Sequence, residues 1–443
     1  MSETTASFDI VAGKKFTFRV KSRALQILEM EDVLFRHNSA VFLPDREDFY
    51  SASNSEDRTD QDAAADQEKM TGLSVLKSIL LYALDNPEKK ILIAGHTDAS
   101  GSNEINFKIS EERADSVLYL IENKRDEWAK ISHNRHKDED IQHILTWVAR
   151  QKGWDCDPGG IDGKTGPKTR QAIKNFQSQA GTNADGIVGP RTWGKIFDIY
   201  QEELALFMDY EKGKQALDNR GALNWLYSDN KAVGCGESWP KEHVEASTDR
   251  QLRSQTNRRV EILFFDEDEI PPECQCKKGV CETDACPIYP AGKFTREYIP
   301  AGPPQLILRI KPLDQTFNPL PGKRYALTLG NTTYQGDIPP GGVIRHLIPD
   351  NSIRDGVLEV WQDNDSEESS RMELIIVNFQ PVSQVQGIKK RLRNLNYYSG
   401  EFNDAADDIY QNALCLFQED NEMERTGCAD ADTVDKLRQV YGA

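Results

Sequence analysis

The sequence predicts a multidomain chain: an α+β sandwich interrupted by an inserted small three-helix module, then an all-β sandwich module, then a second small helical module. Three observations predict this. The chain has 443 residues, which at about 150 residues per domain is roughly three domains. Strand-period and helix-period apolar patterns alternate up to Phe265, but residues 140–197 break in with their own pair of Asp-Gly turns. Between Pro303 and Phe379 only short alternating segments separated by Pro-Gly turns occur, after which helical spacing returns.

The elements follow in order. Residues 8–44 read as two strands and a connection, with a hairpin around Ala12-Gly13 and alternation toward Val41-Phe42. Residues 45–70 are acidic, Ser-rich and nearly free of aliphatic side chains, which predicts an exposed loop or a disordered excursion. Leu73, Leu76, Ile79, Leu80 and Leu84 form one helical stripe, and Lys89 to Ala94 is a buried strand ending at Gly95. From Ser110, a suitable N-cap, Ala114, Val117, Leu118 and Ile121 repeat at helical spacing. Helix is expected again over 201–232, and Val260 to Phe265 is the final strand of the sandwich.

A net charge of -18 excludes nucleic acid as a partner, because phosphate binding needs a basic surface. No transmembrane segment is expected, since the longest apolar runs, such as Ile79 to Leu84, fall far below the roughly 20 residues of a span. The N-terminus MSETTASFDIVAGKKF lacks the apolar core of a signal peptide. The chain is therefore expected to be made in the cytoplasm and to reach an envelope, its own or that of a target bacterium, without the general export route.

Two distant segments carry the chemistry of one ligand site. ILIAGHTDASGSNEINFKISEERADSV sets Asp98, Asn106 and Arg113 across a strand, a loop and a helix, with Thr97 and Gly101 in the loop. TNRRVEILFF adds Asn257, Arg258 and Arg259 before an apolar strand. A carboxylate can take an ammonium while a guanidinium takes a carboxylate bidentately, in a fork that Lys cannot reproduce. The alternative is a local Asp98–Arg113 ion pair, with Asn106 capping a turn. The pattern GHTD-x-x-G…N…S-x-x-RA-x-x-V followed by NRRVEI resembles the OmpA-like (or MotB-like) peptidoglycan-binding domain. FRHNSAVFLP matches that domain's opening strand, and AVGCGESWP its penultimate strand and turn, with Cys235 in place of the usual aromatic. The resemblance implies that Asp98 and Arg113 clamp the diaminopimelate of the wall stem peptide. It also implies a domain split into 1–121 and 223–270, with one of Arg258 and Arg259 facing the site and the other packing or solvated.

The interruption, residues 138–200 between helical connections at 122–137 and 201–222, resembles the peptidoglycan-binding-domain-1 repeat. The residues that carry the likeness are Gln142, the Asp162-Gly163 and Asp185-Gly186 turns, the helix of Thr169, Ala172, Ile173 and Phe176-Gln177, and the closing Trp193, Ile196 and Phe197. Asp-Gly suits a tight turn because Gly takes positive φ and Asp bonds its own backbone. A calcium loop is excluded by the missing alternating oxygen ligands and terminal Glu. The resemblance implies a shallow groove for wall material flanked by the two turns, on a module that projects from its host and makes the chain a bivalent binder.

Residues 271–302 form a Cys-rich linker in which Cys274, Cys276, Cys281 and Cys286 either hold one zinc or pair as two disulfides. Cys415 with Cys428, and Cys156 with Cys235, are further candidate pairs. Residues 303–380 read as a small β-sandwich, and LPGKRYALTLGNTTYQG…GGVIRHLIP resembles repeats found beside spike and effector genes of contractile secretion systems. Residues 381–443 resemble a degenerate second copy of the inserted repeat, aligning Gln386 with Gln142, Gly400 with Gly159 and Phe417-Gln418 with Phe176-Gln177. Tyr397 and Tyr398 there suit core more than sugar stacking.

The expected function is non-catalytic peptidoglycan binding, with no cofactor unless zinc sits at the cysteine cluster. No H-E-x-x-H, G-x-S-x-G or Cys–His arrangement occurs. Spike or sheath proteins of a type VI or related secretion apparatus are the further partners considered. The alternatives are a secreted effector with wall-hydrolase activity and a cytoplasmic interaction protein.

Overall fold

The computed structural model describes residues 18–21, 26–30, 35–45, 72–240, 254, 257–266, 294–297, 307–314, 318–350, 352–361, 369–376, 382, 384–395 and 397–441. The hairpin expected at Ala12-Gly13, nearly all of the acidic stretch and the cluster Cys274, Cys276, Cys281 and Cys286 lie outside the described residues. The chain is a mixed α/β multidomain protein with helical modules and several small sheets. It divides into two compact units, the first holding Met70–Ile310 with Met1–Glu47 and Ile344–Ile348, the second Lys311–Val343 and Pro349–Ala443 with Asp48–Lys69.

The first unit runs β1 (Phe18–Lys21), β2 (Gln26–Met30), α1 (Gly72–Asp85), β3 (Lys90–Gly95) and α2 (Asn103–Ile121). Five helices and a turn of 3-10 helix (Asn219–Ala222) follow before β4 (Ala232–Gly234), β5 (Val260–Phe265) and β6 (Phe294–Glu297). The six strands form one sheet in the order β4-β3-β5-β2-β1-β6. Only β3 and β4 pair in parallel. All six residues of β5 are buried, the pattern of a strand covered on both faces. Tyr82 of α1 meets Phe264 edge-on at 4.6 Å. Gly95 is required by close approach: a Cβ there would sit 1.9 Å from the Ser110 carbonyl oxygen on α2.

Two local expectations are corrected. Helix α2 starts at Asn103 with Ser102 as its N-cap, its side chain accepting from the Ile105 N–H, well before Ser110. The first turns, Asn103 to Lys108, carry little apolar periodicity, so sequence spacing finds only the C-terminal part. Ser110 instead lies inside the helix, donating to the Phe107 carbonyl at 2.6 Å and accepting from the Gly236 N–H at 2.9 Å. The segment matched to an opening strand, Phe35 to Pro44, is buried from Ser39 onward but forms no strand. Its backbone groups are satisfied by side chains and helix ends rather than by a ladder: the Ser39 and Arg36 carbonyls by Arg113, the Phe42 carbonyl by Tyr200, and the Ala40 N–H by the Arg135 carbonyl.

On the same helix, burial pushes the Asp115 carboxyl up to about 6, with Glu111 and Glu112 adding to the shift. Between its unfolded and folded values the native state binds more proton than the unfolded chain, so stability falls as pH rises through that window. Asp115→Asn is expected to stabilise the unit by about 1–2 kcal/mol at pH 7.5 and to make no difference near pH 4, as read by urea unfolding at the two pH values.

The helices between α2 and β4 are α3 (Arg125–Arg135), α4 (Asp138–Lys152), α5 (Pro167–Gln179), α6 (Pro190–Phe207) and α7 (Glu211–Asp218). Helices α5 and α6 each start with Pro after an extended Gly, where the missing N–H costs nothing. Trp128 of α3 is fully buried against Trp193, Phe197 and Tyr200 of α6, with ring centroids 5.5–5.9 Å apart. The expected connection 122–137 is thus part of the module's core.

The module does not project. Asp140 of α4 accepts from the Ser39 hydroxyl at 2.7 Å and pairs with Arg36 at 3.1 Å. Arg36 also donates to Nδ1 of His143, so that ring's Nε2 carries the proton shared with Asp45 at 2.7 Å. Segment 35–45 is the seam, and its polar groups lock the module to the sheet.

The predicted β-sandwich 303–380 divides. Its strands are β7 (Ile307–Ile310), β8 (Arg324–Leu329), β9 (Thr332–Asp337), β10 (Ile344–Leu347), β11 (Asp355–Trp361) and β12 (Ser369–Ile375). They form a four-stranded sheet β12-β11-β8-β9 and a separate pair β10-β7. The pair belongs to the first unit, where Arg345 grips the buried Glu203 of α6 at 2.6 and 2.7 Å and Arg309 donates to the Arg150 carbonyl. A buried carboxylate needs a counter-charge, and Arg345 draws β10 to it. The chain closes with α8 (Val385–Asn394), α9 (Asp408–Asp420) and α10 (Ala431–Tyr441) around Ile388, Leu392, Leu414, Phe417 and Leu437. Tyr398 is buried in that core and Tyr397 packs against it.

Candidate binding grooves and the buried ionic cluster

One device recurs in both helical modules. Gln142 on α4 donates to Asp162 Oδ1, the Lys164 carbonyl and Thr169 Oγ1, and its oxygen accepts from the N–H groups of Asp162 and Gly163 at 3.0 and 2.8 Å. Gln177 on α5 repeats this with Asp185 Oδ1, the Ile187 carbonyl, Thr192 Oγ1 and the Gly186 N–H. Gln418 on α9 repeats it again with Thr426, the Cys428 carbonyl, Thr433 and the Gly427 N–H. A primary amide has two donors and an acceptor, enough to satisfy one turn and tie it to the next helix. Each turn glycine, Gly163, Gly186 and Gly427, has φ between 64° and 76°.

The alignment of Gln386 with Gln142 is corrected. Lys389 occupies that place, donating to Asn403 Oδ1 at 2.8 Å and Asp407 Oδ2 at 3.2 Å beneath the rings of Tyr398 and Tyr410. An ammonium substitutes for the amide donors but offers no acceptor, which is why this half of the C-terminal module lacks a Gly turn of the same kind.

The second turn of the inserted module walls a groove of about 430 Å³ lined by His136, Ile141, Arg170, Ile173, Asp185 and Ile187. The Ile187 N–H and the Gln177 amide hold the Asp185 carboxyl below its ordinary range, so it is ionised. A second depression, about 360 Å³, is lined by Asn38, Ile105, Ile109, Asn134, Arg135 and Lys137, and His136 lines it as well.

The residues expected to form a diaminopimelate clamp are brought together but covered. Burial raises the Asp98 carboxyl, but bonds from Ser100 and Arg258, the Arg258 charge and the Ser254 N–H outweigh it, and its pKa lies below the usual value. Arg258 Nη1 is 2.6 Å from Asp98 Oδ2. Arg113 is only 1% exposed. Its three nitrogens donate to the carbonyls of Ser39 (2.9 Å), His96 (3.1 Å) and Arg36 (3.0 Å), and Phe35 lies under the guanidinium. Burial and Arg258 press its pKa down while Asp98 and Asp140 oppose them. Asn106 donates to Glu237 at 2.5 Å. Thr97 gives its N–H to the Gly236 carbonyl, and its buried hydroxyl has no hydrogen-bond partner among the described residues. Gly101 takes φ +98° beside Asn106. Asn257 donates its N–H to Ser254 Oγ.

The two neighbouring arginines have different carboxylate partners. Arg258 faces Asp98, while Arg259 is buried on Glu261 at 2.6 Å and on the Trp239 carbonyl. Glu261 also lies 3.4 Å from His96 Nε2. Ser100, Ser254, Glu237 and Glu261 were not singled out by sequence reasoning. Glu261 carried a visible signal, a charge inside the otherwise apolar VEILFF strand, and the other three carried none.

The candidate cysteine pairs are not formed. Cys156 sits in the inserted module against the Leu145 carbonyl, and Cys235 packs with Leu92, Leu226 and Leu263 of the sheet. Cys415 and Cys428 likewise form no disulfide. Burial pushes the Cys156 thiol far up, which makes it inert. Among the described residues no group of three or more His, Cys, Asp or Glu side chains could hold a metal ion, and no helix is long and apolar enough to cross a membrane.

Comparison with known proteins agrees on the two helical modules. Residues 139–196 and 382–437 each match the family described as "Putative peptidoglycan binding domain". A zinc D-Ala-D-Ala carboxypeptidase of Streptomyces albus G is 31% identical over 90 residues, 20% of this chain and 28% of that protein. An uncharacterized protein in the bpoA1 3' region of Kitasatospora aureofaciens is 53% identical over 36 residues, 8% of this chain and 30% of that protein. The chain thus spans less than a third of either relative. No solved structure matches. Nothing in these comparisons matches an OmpA-like domain or a secretion-system component.

Proposed function

We propose that this chain is a peptidoglycan-binding protein without a catalytic centre of its own, and that the groove beside the Asp185-Gly186 turn is its principal contact with the wall. The carrying observation is the coincidence of three features in one place: the family match over 139–196, the open groove, and Ile187 standing 69% exposed at its edge. An aliphatic side chain presented to solvent beside an ionised Asp185 and Arg170 suits a ligand with apolar sugar faces and charged peptide groups. The shared stretch with a D-Ala-D-Ala carboxypeptidase supports a ligand bearing wall stem peptides. At under a third of that protein's length, its activity is not carried over.

The diaminopimelate clamp at Asp98 and Arg113, on an OmpA-like half, belongs to the same proposal as a second contact. It requires a ligand ammonium to displace Arg258 from Asp98, because Arg258 now holds the position that the ammonium would take. Delivery by a contractile secretion apparatus draws on the sequence likeness within residues 320–349.

Pull-down on purified sacculi tests the reading. Ile187→Asp is expected to cut retention at least fivefold with an unchanged thermal melt, and Asp98→Asn to cut it by a smaller factor. Full retention by Ile187→Asp would overturn the groove, and full retention by Asp98→Asn would remove the clamp.

A further inference from the structure

The two depressions share a wall and face one kind of ligand. His136 lines both, and Arg135 and Lys137 on either side of it line the second. Its Nδ1 is engaged with the carbonyls of Ser132 and His133 (3.2 and 2.8 Å), and its ring lies 5.3 Å from that of Trp193, which sets its orientation. No described group bonds its Nε2, the atom left for a ligand.

The exposed apolar residues fall in the same two places. Among the described residues of the first unit, only Ile105 (51%) and Ile187 (69%) are large hydrophobics open to solvent. Ile187 lines the first groove and Ile105 the second. A single exposed aliphatic residue means nothing by itself. Two that each stand at the edge of a depression, with one histidine common to both depressions, mark a continuous surface. The amides of Asn38 and Asn134 and the ammonium of Lys137 line the host side, and they suit acetamido, hydroxyl and carboxylate groups.

Most of the second depression lies outside the family match. Asn38, Ile105 and Ile109 come from the host sandwich, and residues 134–137 precede the matched segment 139–196. The seam makes the two sides one body, because Asp140, Arg36, Ser39, His143 and Asp45 tie α4 to segment 35–45. Two rigidly joined subsites bind a repeating polymer in one event, and the second contact costs little further entropy.

We propose that the two grooves form one site, joined at His136, for a single peptidoglycan strand, with successive disaccharide-peptide units on the repeat side and on the host side. This rests on the reading of the repeat as a wall binder and adds a host subsite and a preference for ligand length. It replaces two independently reaching modules with one extended site.

Calorimetric titration of the full chain with a purified monomeric disaccharide-peptide, and with uncross-linked glycan-peptide chains of three units, tests it. Statistics alone give the longer ligand about a threefold advantage, one factor per unit. The expected advantage is at least tenfold. Ile105→Asp, at a position 51% exposed, should reduce it to the statistical value and leave monomer binding within twofold of the parent. His136→Gln should act in the same direction, with the melting temperature recorded for both variants. An advantage of threefold or less in the parent, or an Ile105→Asp chain that keeps the tenfold gain, overturns the joined site while binding to the repeat stands. Absence of monomer, chain and sacculus binding by the folded parent would instead overturn the reading it rests on.

Discussion

Arg113→Ala is expected to lose roughly 3–5 kcal/mol of stability in the first unit, enough to unfold much of it near 37 °C. Truncation takes the Arg113 donors from the carbonyls of Ser39, His96 and Arg36, leaving Arg36 only the Ser39 N–H, and opens a cavity over Phe35. It also leaves Asp98 and Asp140 without one of the cations that offset their burial. Arg113→Lys should recover less than half of the loss, since one ammonium cannot reach three carbonyls spread around a planar fork. Urea unfolding followed by tryptophan fluorescence measures both. A melt unchanged by Arg113→Ala, with sacculus binding abolished, would show that Arg113 serves only a ligand. The consequence for the clamp is practical: loss of binding on Arg113→Ala cannot be credited to a lost contact unless the protein is shown to be folded. Asp98→Asn is the cleaner probe, because it keeps the shape of the side chain.

Gln177→Leu is expected to cost about 2–4 kcal/mol and to abolish wall binding. The substitution removes the amide donors shared by Asp185, the Ile187 carbonyl and Thr192, and it takes the acceptor from the Gly186 N–H. Those same residues build the wall of the groove, so its shape is lost with the turn. Gln418→Leu makes the equivalent cut in the C-terminal module. It should destabilise that module by a similar amount while the inserted groove keeps its affinity. Equal loss of sacculus retention in both variants would place wall binding in the two modules jointly. Retention unchanged in Gln177→Leu would remove the groove from the function.

Much of this was legible in residue spacing. The buried strands at Lys90 to Gly95 and Val260 to Phe265 were found because strands covered on both faces are continuously apolar. The Asp-Gly turns of the inserted module were found because their backbone requirements admit few residue types. Helix α2 was half found, since its first turns carry mostly exposed polar side chains with no apolar period, and the one buried there, Asn106, is held by the distant Glu237. Segment 35–44 was misread as a strand because alternation reports burial, and burial there comes from wedging between two modules instead of from a ladder. The pairings of Arg258 with Asp98 and of Arg259 with Glu261 were not foreseen, because adjacent positions do not show which distant carboxylate each arginine meets.

By itself the sequence determined the local devices: the two Asp-Gly turns, the buried strands, the acid and base types gathered around Asp98, and the presence of two related helical modules. These depend on bonds and backbone conformations within short stretches, or on a burial pattern repeated along one element. Only the tertiary structure decided what those residues face. It placed the Arg113 guanidinium on three carbonyls, Lys389 in the place of a glutamine, β7 and β10 with the first unit, and Ile105 beside the inserted repeat. The physical reason is common to all four. A buried donor or charge takes whichever partner the packing brings within about 3 Å, and spacing along the chain does not encode which distant segment that will be.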